Sequence, residues 1–253
     1  MAIKREEAYI LKRSPMRETS LLLTMFSRGS GKLKAVVKGV RGEKNSVLAS
    51  FEPFTLLSVV YYEKLKSDIH LISDAAVVHS NAILRSRLNF FAHASYMAEL
   101  IDVFFGIHDP HPDVFELFGL TLRHFELAPP SHVVRVFEIK MLEKAGLLPN
   151  LSHCVSCGSR EFRSAFFSAK QGGLLCQHCE LREMGTIPVS PAALGQLRIL
   201  IECDFISGLF SSMSHEIEHE LERIVRRFLQ FRLEYPLRTS LFLSEVKGVA
   251  AHT

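Results

Sequence analysis

The chain has 253 residues, of which 47% are hydrophobic and 23% charged, a balance that fits globular folding and excludes a disordered or fibrous chain. Net charge is only +3, so a uniformly basic or acidic chain is excluded as well. The opening "MAIKREEAYI" lacks an apolar signal core, and no apolar run reaches the roughly 18 residues of a membrane span, so a cytoplasmic protein is expected.

The charge is unevenly placed. Residues 1–50 carry eleven basic and four acidic side chains, a surplus of seven, which leaves the remainder at −4. Such asymmetry suggests that the first segment meets a polyanion, although a solvated basic surface would look the same by charge alone.

Residues 1–79 read as five short strands separated by turn signals. The runs are "AYILKR", "TSLLLTMF", "KLKAVVK", "FTLLSVVYY" and "IHLISDAAVV", rich in Leu, Ile, Val and aromatics. Five strands at this spacing suit a small, partly open barrel of the OB type, a fold that often binds single-stranded nucleic acid. In "KLKAVVK", Leu33, Ala35 and Val37 alternate with Lys32, Lys34, Val36 and Lys38. Alternation puts the odd positions in a core and three lysines on the opposite face, about 6.6 Å between same-face neighbours. A line of ammonium groups at that spacing can follow a phosphate backbone without reading bases. Arg41 and Lys44 extend it into a glycine-bearing loop, and Lys12, Arg13 and Arg17 belong to the same basic segment. The competing reading is a charged strand face that resists aggregation.

From about residue 80 the period changes. Leu84, Leu88, Ala92, Tyr96, Leu100 and Phe104 follow an i+4 row, widened by Phe91, Met97 and Ile101. "DVFELFGLTLRHFE" reads as a second helix, and Ser131 as the N-cap of "HVVRVFEIKMLEKA", with Gly146 at its end. Ser190-Pro191 opens another helix and Ser214 a last long one, with Ile217, Leu221, Ile224, Val225 and Phe228 inward and Arg223, Arg226, Arg227 and Arg232 on the other face.

Between those helices lie four of the five cysteines, in "CVSCGSREFRSAFFSAKQGGLLCQHC". Cys154, Cys157, Cys176 and Cys179 form a C-x2-C-x18-C-x2-C pattern. Two residues between thiolates let one tight turn present both sulfurs to one ion, and two such turns complete a tetrahedral site, so one structural Zn2+ per chain is expected. The interval fits a hairpin: "SAFFS", a turn at "AKQGG", then "LLC". His153 and His178 stand beside ligands and could substitute. A redox dithiol fits less well, because such motifs act as one pair at a helix start. Catalytic zinc fits less again, because four thiolates leave no position for water. Cys203, in "ILIECDF", reads as a buried helix residue.

With these parts placed, the chain resembles the RecO family of bacterial recombination mediators over nearly its full length. The likeness lies in "YILKRSPMRETSLLLTMFSRGSGKLKAVVKGVRG", "FEPFTLL", "VFEIKMLEKAGLLPNLSHCVSCGS", "FFSAKQGGLLCQHC" and "LRTSLFL". The most specific block runs from Phe137-Glu138 through Gly146 and Pro149 to Cys154 and Cys157. The resemblance implies an α+β multidomain protein: a five-stranded OB-type barrel followed by an all-α domain with an inserted four-cysteine zinc ribbon-like hairpin. The expected boundaries are 1–79 for the barrel, 80–149 and 184–243 for the helical domain, 150–183 for the insertion and 244–253 for a tail. It further implies a non-enzymatic, nucleoid-associated protein that binds single- and double-stranded DNA and anneals complementary strands. Partners implied are RecR, the acidic tail of the single-stranded DNA-binding protein SSB and, indirectly, RecA. For the SSB tail, Arg123 and Arg135 are candidate rim cations beside Phe118, Leu122 and Phe137. One departure from the family is the loop "GVRGEKNSVL", where Glu43 and Asn45 interrupt a basic cluster that is often denser. Two other classes compete: an RNA-binding OB/zinc-ribbon protein of translation or ribosome assembly, and a thiol oxidoreductase. Neither a phosphate-cradling P-loop nor a Ser/His/Asp arrangement stands out.

Overall fold

The computed structural model describes residues 2–40, 46–64, 67–233, 236–240 and 242–243. The chain divides into two compact units, Met1–Phe125 with Leu237–Thr253, and Glu126–Pro236.

The first unit is built on a closed five-stranded barrel of β1 (Ala2–Met16), β2 (Ser20–Ser27), β3 (Gly31–Val37), β4 (Leu56–Glu63) and β5 (Ile69–His79), in the order β1-β2-β3-β5-β4. β1 is long enough to serve two partners, β4 through Ala2–Tyr9 and β2 through Ala8–Met16. Closure comes from a short parallel pairing of β3 with β5, from Lys34↔Ile69 to Val36↔Leu71. The sequence suggests a partly open barrel; this pairing closes it. Inside, Ala8, Ile10, Leu23, Met25, Leu33, Ala35, Leu57 and Val59 form a hydrophobic core. Each occupies the inward set of an alternating strand, as the burial of Leu33, Ala35 and Val37 shows for β3.

Two aromatic residues face the other way. Tyr9 and Phe26, cross-strand partners, point out of the barrel and are nevertheless buried. Helices α1 (Ile83–Ser86), α2 (Leu88–Phe104) and α3 (Pro112–Arg123) follow the barrel, and residues from this helical segment cover the pair. Phe115 lies 5.0 Å from Tyr9 and 6.3 Å from Phe26 between ring centroids, Phe118 meets Tyr9 edge-on at 5.3 Å, and Phe105 stacks on Phe26 at 6.0 Å. Near residue 80 the hydrophobic period switches, while the compact unit continues through Phe125 because these rings join helices to strands. The single helix expected from Leu84 onward is two, broken at Arg87, whose backbone is extended. Leu88 is accordingly 59% exposed, and Phe105 rather than Phe104 is buried.

The second unit centres on α4 (Pro130–Lys144), where every residue from His132 to Leu142 is buried. Around it pack α6 (Pro191–Glu202), α7 (Phe205–Leu209) and α8 (His215–Arg232). Between α4 and α6 in sequence come β6 (Ala165–Ser168), β7 (Gly173–Cys176), the short α5 (Gln177–Glu180) and β8 (Ile187–Val189), which form a three-stranded sheet ordered β7-β6-β8 with α5 beside it. The hairpin matches expectation; β8 had too few residues to register as a strand in the sequence. Ser190 and Ser214 cap α6 and α8 through their hydroxyls, as their sequence positions suggest. Ser131 does not cap α4, which starts one residue earlier behind Pro129. Gly146 ends that helix with a positive φ of 69°. Cys203 is the C-cap of α6 and only half-buried, not an interior helix residue.

Gly119 is where α3 meets the outward tyrosine. A Cβ there would lie 2.3 Å from Tyr9 Oη and 3.0 Å from its Cζ. Alanine would favour the isolated helix by about 1 kcal/mol, yet overpacking of this kind costs about 1–3 kcal/mol. Gly119→Ala is therefore expected to lower the melting temperature, and adding Tyr9→Phe to restore part of the loss, in thermal denaturation followed by circular dichroism.

Candidate metal centre and nucleic-acid surface

The two cysteine pairs are brought together by backbone bonds. Residues 150–155 run beside β7: Asn150 N–H donates to Gly172 O at 2.9 Å, Leu174 N–H to Asn150 O at 3.0 Å and Val155 N–H to Leu174 O at 2.8 Å. This close approach requires Gly173, because a Cβ there would meet Val155 Cγ1 at 2.5 Å and Asn150 O at 2.6 Å. The first knuckle is tied by Cys154 N–H to Ser159 O at 2.7 Å and Gly158 N–H to Cys154 O at 2.8 Å. Cys176 and Cys179 stand at the start and within α5, one turn apart. Leu175, Val155, Phe162 and Phe166 pack around the sulfurs.

The four ligand sulfurs lie within 4.8 Å of one another, so they could hold a metal ion. At a Zn–S distance of about 2.3 Å, tetrahedral geometry sets neighbouring sulfurs about 3.8 Å apart. Cys157 Sγ and Cys176 Sγ are 3.8 Å apart, so the donor set fits such a shell. Cys154, Cys176 and Cys179 are buried and Cys157 is exposed. Burial alone would raise the Cys154 thiol, but backbone N–H groups of Cys176, Cys157 and Ser156 outweigh it and pull the thiol down to about 6. At Cys157 the Ser159 N–H lowers the thiol, but the neighbouring sulfurs of Cys154, Cys179 and Cys176 prevail and push it up to about 11. His153 belongs elsewhere, with Nδ1 2.8 Å from Ser152 Oγ and Nε2 3.3 Å from Asn150 Nδ2. Neither it nor exposed His178 joins the ligand cluster among the described residues.

The basic residues of the barrel do not form the single line that alternation suggests. Lys32 is drawn under α2: its Nζ lies 3.4 Å from Asp102 Oδ1, it also bonds the Asp102 carbonyl, and its side chain is 11% exposed. Arg13 is held by Glu52 at 2.8 Å. In both a carboxylate on a neighbouring segment pairs with the charge. Lys34 keeps the outward side of β3, Lys38 follows that strand and is exposed, and Lys12 lies outward and exposed on β1. The register adds an arrangement that one strand cannot reveal. Lys12 faces Thr24 and Thr24 faces Lys34, so the two lysines flank a threonine across three strands, about 10 Å apart at two strand spacings. Among the described residues, Lys12, Lys34 and Lys38 form no ion pair. Arg17 sits exposed in the β1–β2 turn with φ 57°. Arg41 and Lys44 lie outside the described residues.

The two arginines expected to rim one pocket are in different compact units. Arg123 is exposed on α3, its Nη1 3.5 Å from Tyr9 Oη, while Phe118 and Leu122 beside it are interior. Arg135 is 4% exposed and paired with Glu138 one turn along α4. It is turned away from solvent, because α4 is enclosed along this stretch and pairs the charge with Glu138. Lys140 of the same helix donates to Ile201 O and to Glu143, both at 2.8 Å.

The Recombination protein O N terminal profile matches residues 1–81 and the Recombination protein O C terminal profile matches residues 85–241. The chain belongs to the RecO family. It is 30% identical over 243 residues to DNA repair protein RecO of Anaeromyxobacter dehalogenans (strain 2CP-C), covering 94% of each chain. Identity to DNA repair protein RecO of Heliobacterium modesticaldum is 33%, covering 81% of this chain and 76% of the relative. For the Bacillus pumilus protein of the same name it is 30%, covering 79% and 77%. RecO membership supports a role in DNA repair and recombination. Among the described residues no helix is long and apolar enough to cross a membrane.

The buried Arg135–Glu138 pair can be tested directly. Removing one partner strands the other, at a typical cost of about 3–5 kcal/mol, whereas apolar replacement of both is often near neutral. Glu138→Ala should sharply lower the denaturation midpoint, and Arg135→Met/Glu138→Leu should recover most of it, in urea melts.

Proposed function

We propose that the protein is a non-enzymatic recombination mediator that binds single- and double-stranded DNA and anneals complementary strands. In this reading it acts with RecR to help load RecA on strands coated by SSB, whose acidic tail it receives. The observation that carries the reading is the outward lysine set of a closed OB-type barrel in a chain of the RecO family. Annealing breaks and makes no covalent bond. It requires that phosphate repulsion between two strands be neutralised while bases stay accessible, and lysines on a strand surface do this without reading sequence. Lys12 and Lys34 would each meet phosphate from opposite sides of Thr24, with Lys38 and Arg17 as further contacts. Arg41 and Lys44, which follow β3 in sequence, complete the proposed DNA-binding set, with Lys32 and Arg13 acting behind their carboxylate partners. Arg123 remains available at the surface of its unit for an acidic partner; Arg135 is withdrawn from that role.

The cysteine cluster supports one structural zinc per chain. Cys154, Cys157, Cys176 and Cys179 would hold it, and four thiolates closing the shell suit scaffold rather than catalysis. Bound there, the ion supplies a cross-link between the first knuckle and the hairpin, and its binding free energy is also folding free energy. We expect purified protein to carry one zinc per chain by elemental analysis. Cys176→Ser or Cys154→Ser should reduce metal content, soluble yield and melting temperature together. Native protein with four titratable thiols and no metal would remove the assignment.

The DNA surface is tested by fluorescence anisotropy across a salt series and by strand annealing with labelled oligonucleotides, bare and SSB-coated. Lys12→Ala/Lys34→Ala/Lys38→Ala should weaken binding to all sequences alike and shallow the salt dependence by about two to three units of slope, at roughly 0.7–0.9 per phosphate contact. Annealing should slow in parallel. An unchanged slope with an intact fold would return these lysines to the role of a solvated surface.

A further inference from the structure

The second unit has a basic surface that the barrel does not explain. Beside the cysteine hairpin lies an open groove of about 710 Å³, lined among others by Arg160, Arg163, Arg198, Arg223, Phe162 and Phe166. The arginines come from three separate places: the segment between the first cysteine pair and β6, helix α6, and helix α8. All four are exposed, and none forms an ion pair among the described residues. The carboxylate lining this groove, Glu220, is already engaged by the Ser190 N–H at 2.6 Å and hydroxyl at 2.8 Å. A second groove of about 810 Å³ shares Phe162 and Arg163 and adds Arg182; its one carboxylate is Glu161. Five arginines therefore follow two adjoining depressions, with a half-buried phenylalanine where they meet.

We infer that these adjoining grooves bind single-stranded nucleic acid, as a second site carried by the cysteine-bearing unit. The inference rests on the DNA-binding reading above and extends it to a surface of different chemistry. Cations distributed along a trough track a phosphate backbone, and an aromatic face within it offers a stacking platform that every base can use. Arginine strengthens this, because its planar guanidinium pairs with phosphate in a fork and stacks on rings. An acidic peptide with an apolar end would need an enclosed hydrophobic socket. A small apolar cavity of this unit, between Ile139, Leu142, Phe167 and Phe228, has a volume of about 10 Å³. That is room for about one water and not for a side chain. The barrel lysines and the groove arginines thus divide the work: the first neutralise a backbone, the second also hold bases.

The test uses the full chain with its metal. Arg160→Ala/Arg163→Ala/Arg223→Ala leaves Arg198 in place, because that residue also bonds the Leu151 carbonyl at 2.6 Å. Binding of a fluorescent oligo-dT should weaken about tenfold, and the salt slope should fall by about two, at roughly 0.7 per contact for single strands. Phe162→Leu keeps an apolar side chain against the cysteine cluster and removes the ring. It should weaken oligo-dT several-fold and leave an abasic oligonucleotide of the same length unaffected. Melting temperature and metal content, equal to those of the unmodified protein, confirm that each variant is folded. If the triple variant binds oligo-dT with unchanged affinity and slope, the groove inference fails. Should the barrel lysine variant lose affinity in the same experiment, the mediator reading stands without it. If instead the triple variant loses an acidic peptide ending in phenylalanine while oligo-dT binding holds, the groove belongs to a protein partner and the inference is overturned.

Discussion

The burial of Tyr9 and Phe26 on the outside of the barrel constrains everything else in the first unit. A barrel wall usually presents its outward positions to water. Here two neighbouring strands carry rings that must be covered, and residues from the helical segment around α2 and α3 cover them. Covering them brings Asp102 down onto Lys32 and requires a glycine at position 119 for the tyrosine to fit. The barrel exterior is thereby divided. The helix-covered part withdraws one lysine from solvent, and the remainder leaves Lys12, Lys34 and Lys38 at the surface. The size of the basic surface follows from packing more than from the number of basic residues.

The second unit solves a related problem by other means. Its central helix is surrounded, so the polar residues that alternate with its apolar ones cannot reach water. Arg135 is matched to Glu138, Lys140 to Glu143 and a carbonyl, and His132 to the Gly208 carbonyl. A buried charge with a partner contributes little to net stability, but one without a partner is severely destabilising. These pairs therefore fix which neighbours α4 can accept. The hairpin beyond it has few apolar residues of its own, and the four-sulfur cluster supplies the organising centre that a larger core would otherwise provide.

Much of this was legible in the sequence where a local rule decides the outcome. The alternation in β3, the caps at Ser190 and Ser214, the stop at Gly146 and the convergence of four cysteines each depend on a few consecutive residues or a fixed spacing. What escaped depends on neighbours distant in the chain. Nothing in "KLKAVVK" announces that Asp102 will claim its first lysine. Nothing in "VVRVFEIK" distinguishes a helix buried on one side from one buried on all sides, and the second case turned Arg135 from a surface cation into an interior one. Leu88 and Phe104 sat on the right i+4 row, but a break at Arg87 and the end of α2 moved them off the buried face. The groove arginines left a faint trace, in the "REFR" that sets two arginines around Phe162, yet Arg198 and Arg223 join them only through the fold.

The parallel pairing that closes the barrel has a consequence for synthesis. β3 ends at Val37, and the strand that completes it begins only at Ile69. While the intervening chain is being made, the edge of β3 has no partner, and an unpaired apolar strand is a template for wrong association. Ala35, Val36 and Val37 at that edge lie between Lys34 and Lys38. Their charges repel a second copy of the same strand, in the manner of gatekeeper residues beside a necessary hydrophobic run. A nascent chain is thus protected during the interval by the same ammonium groups that, in the finished barrel, face outward.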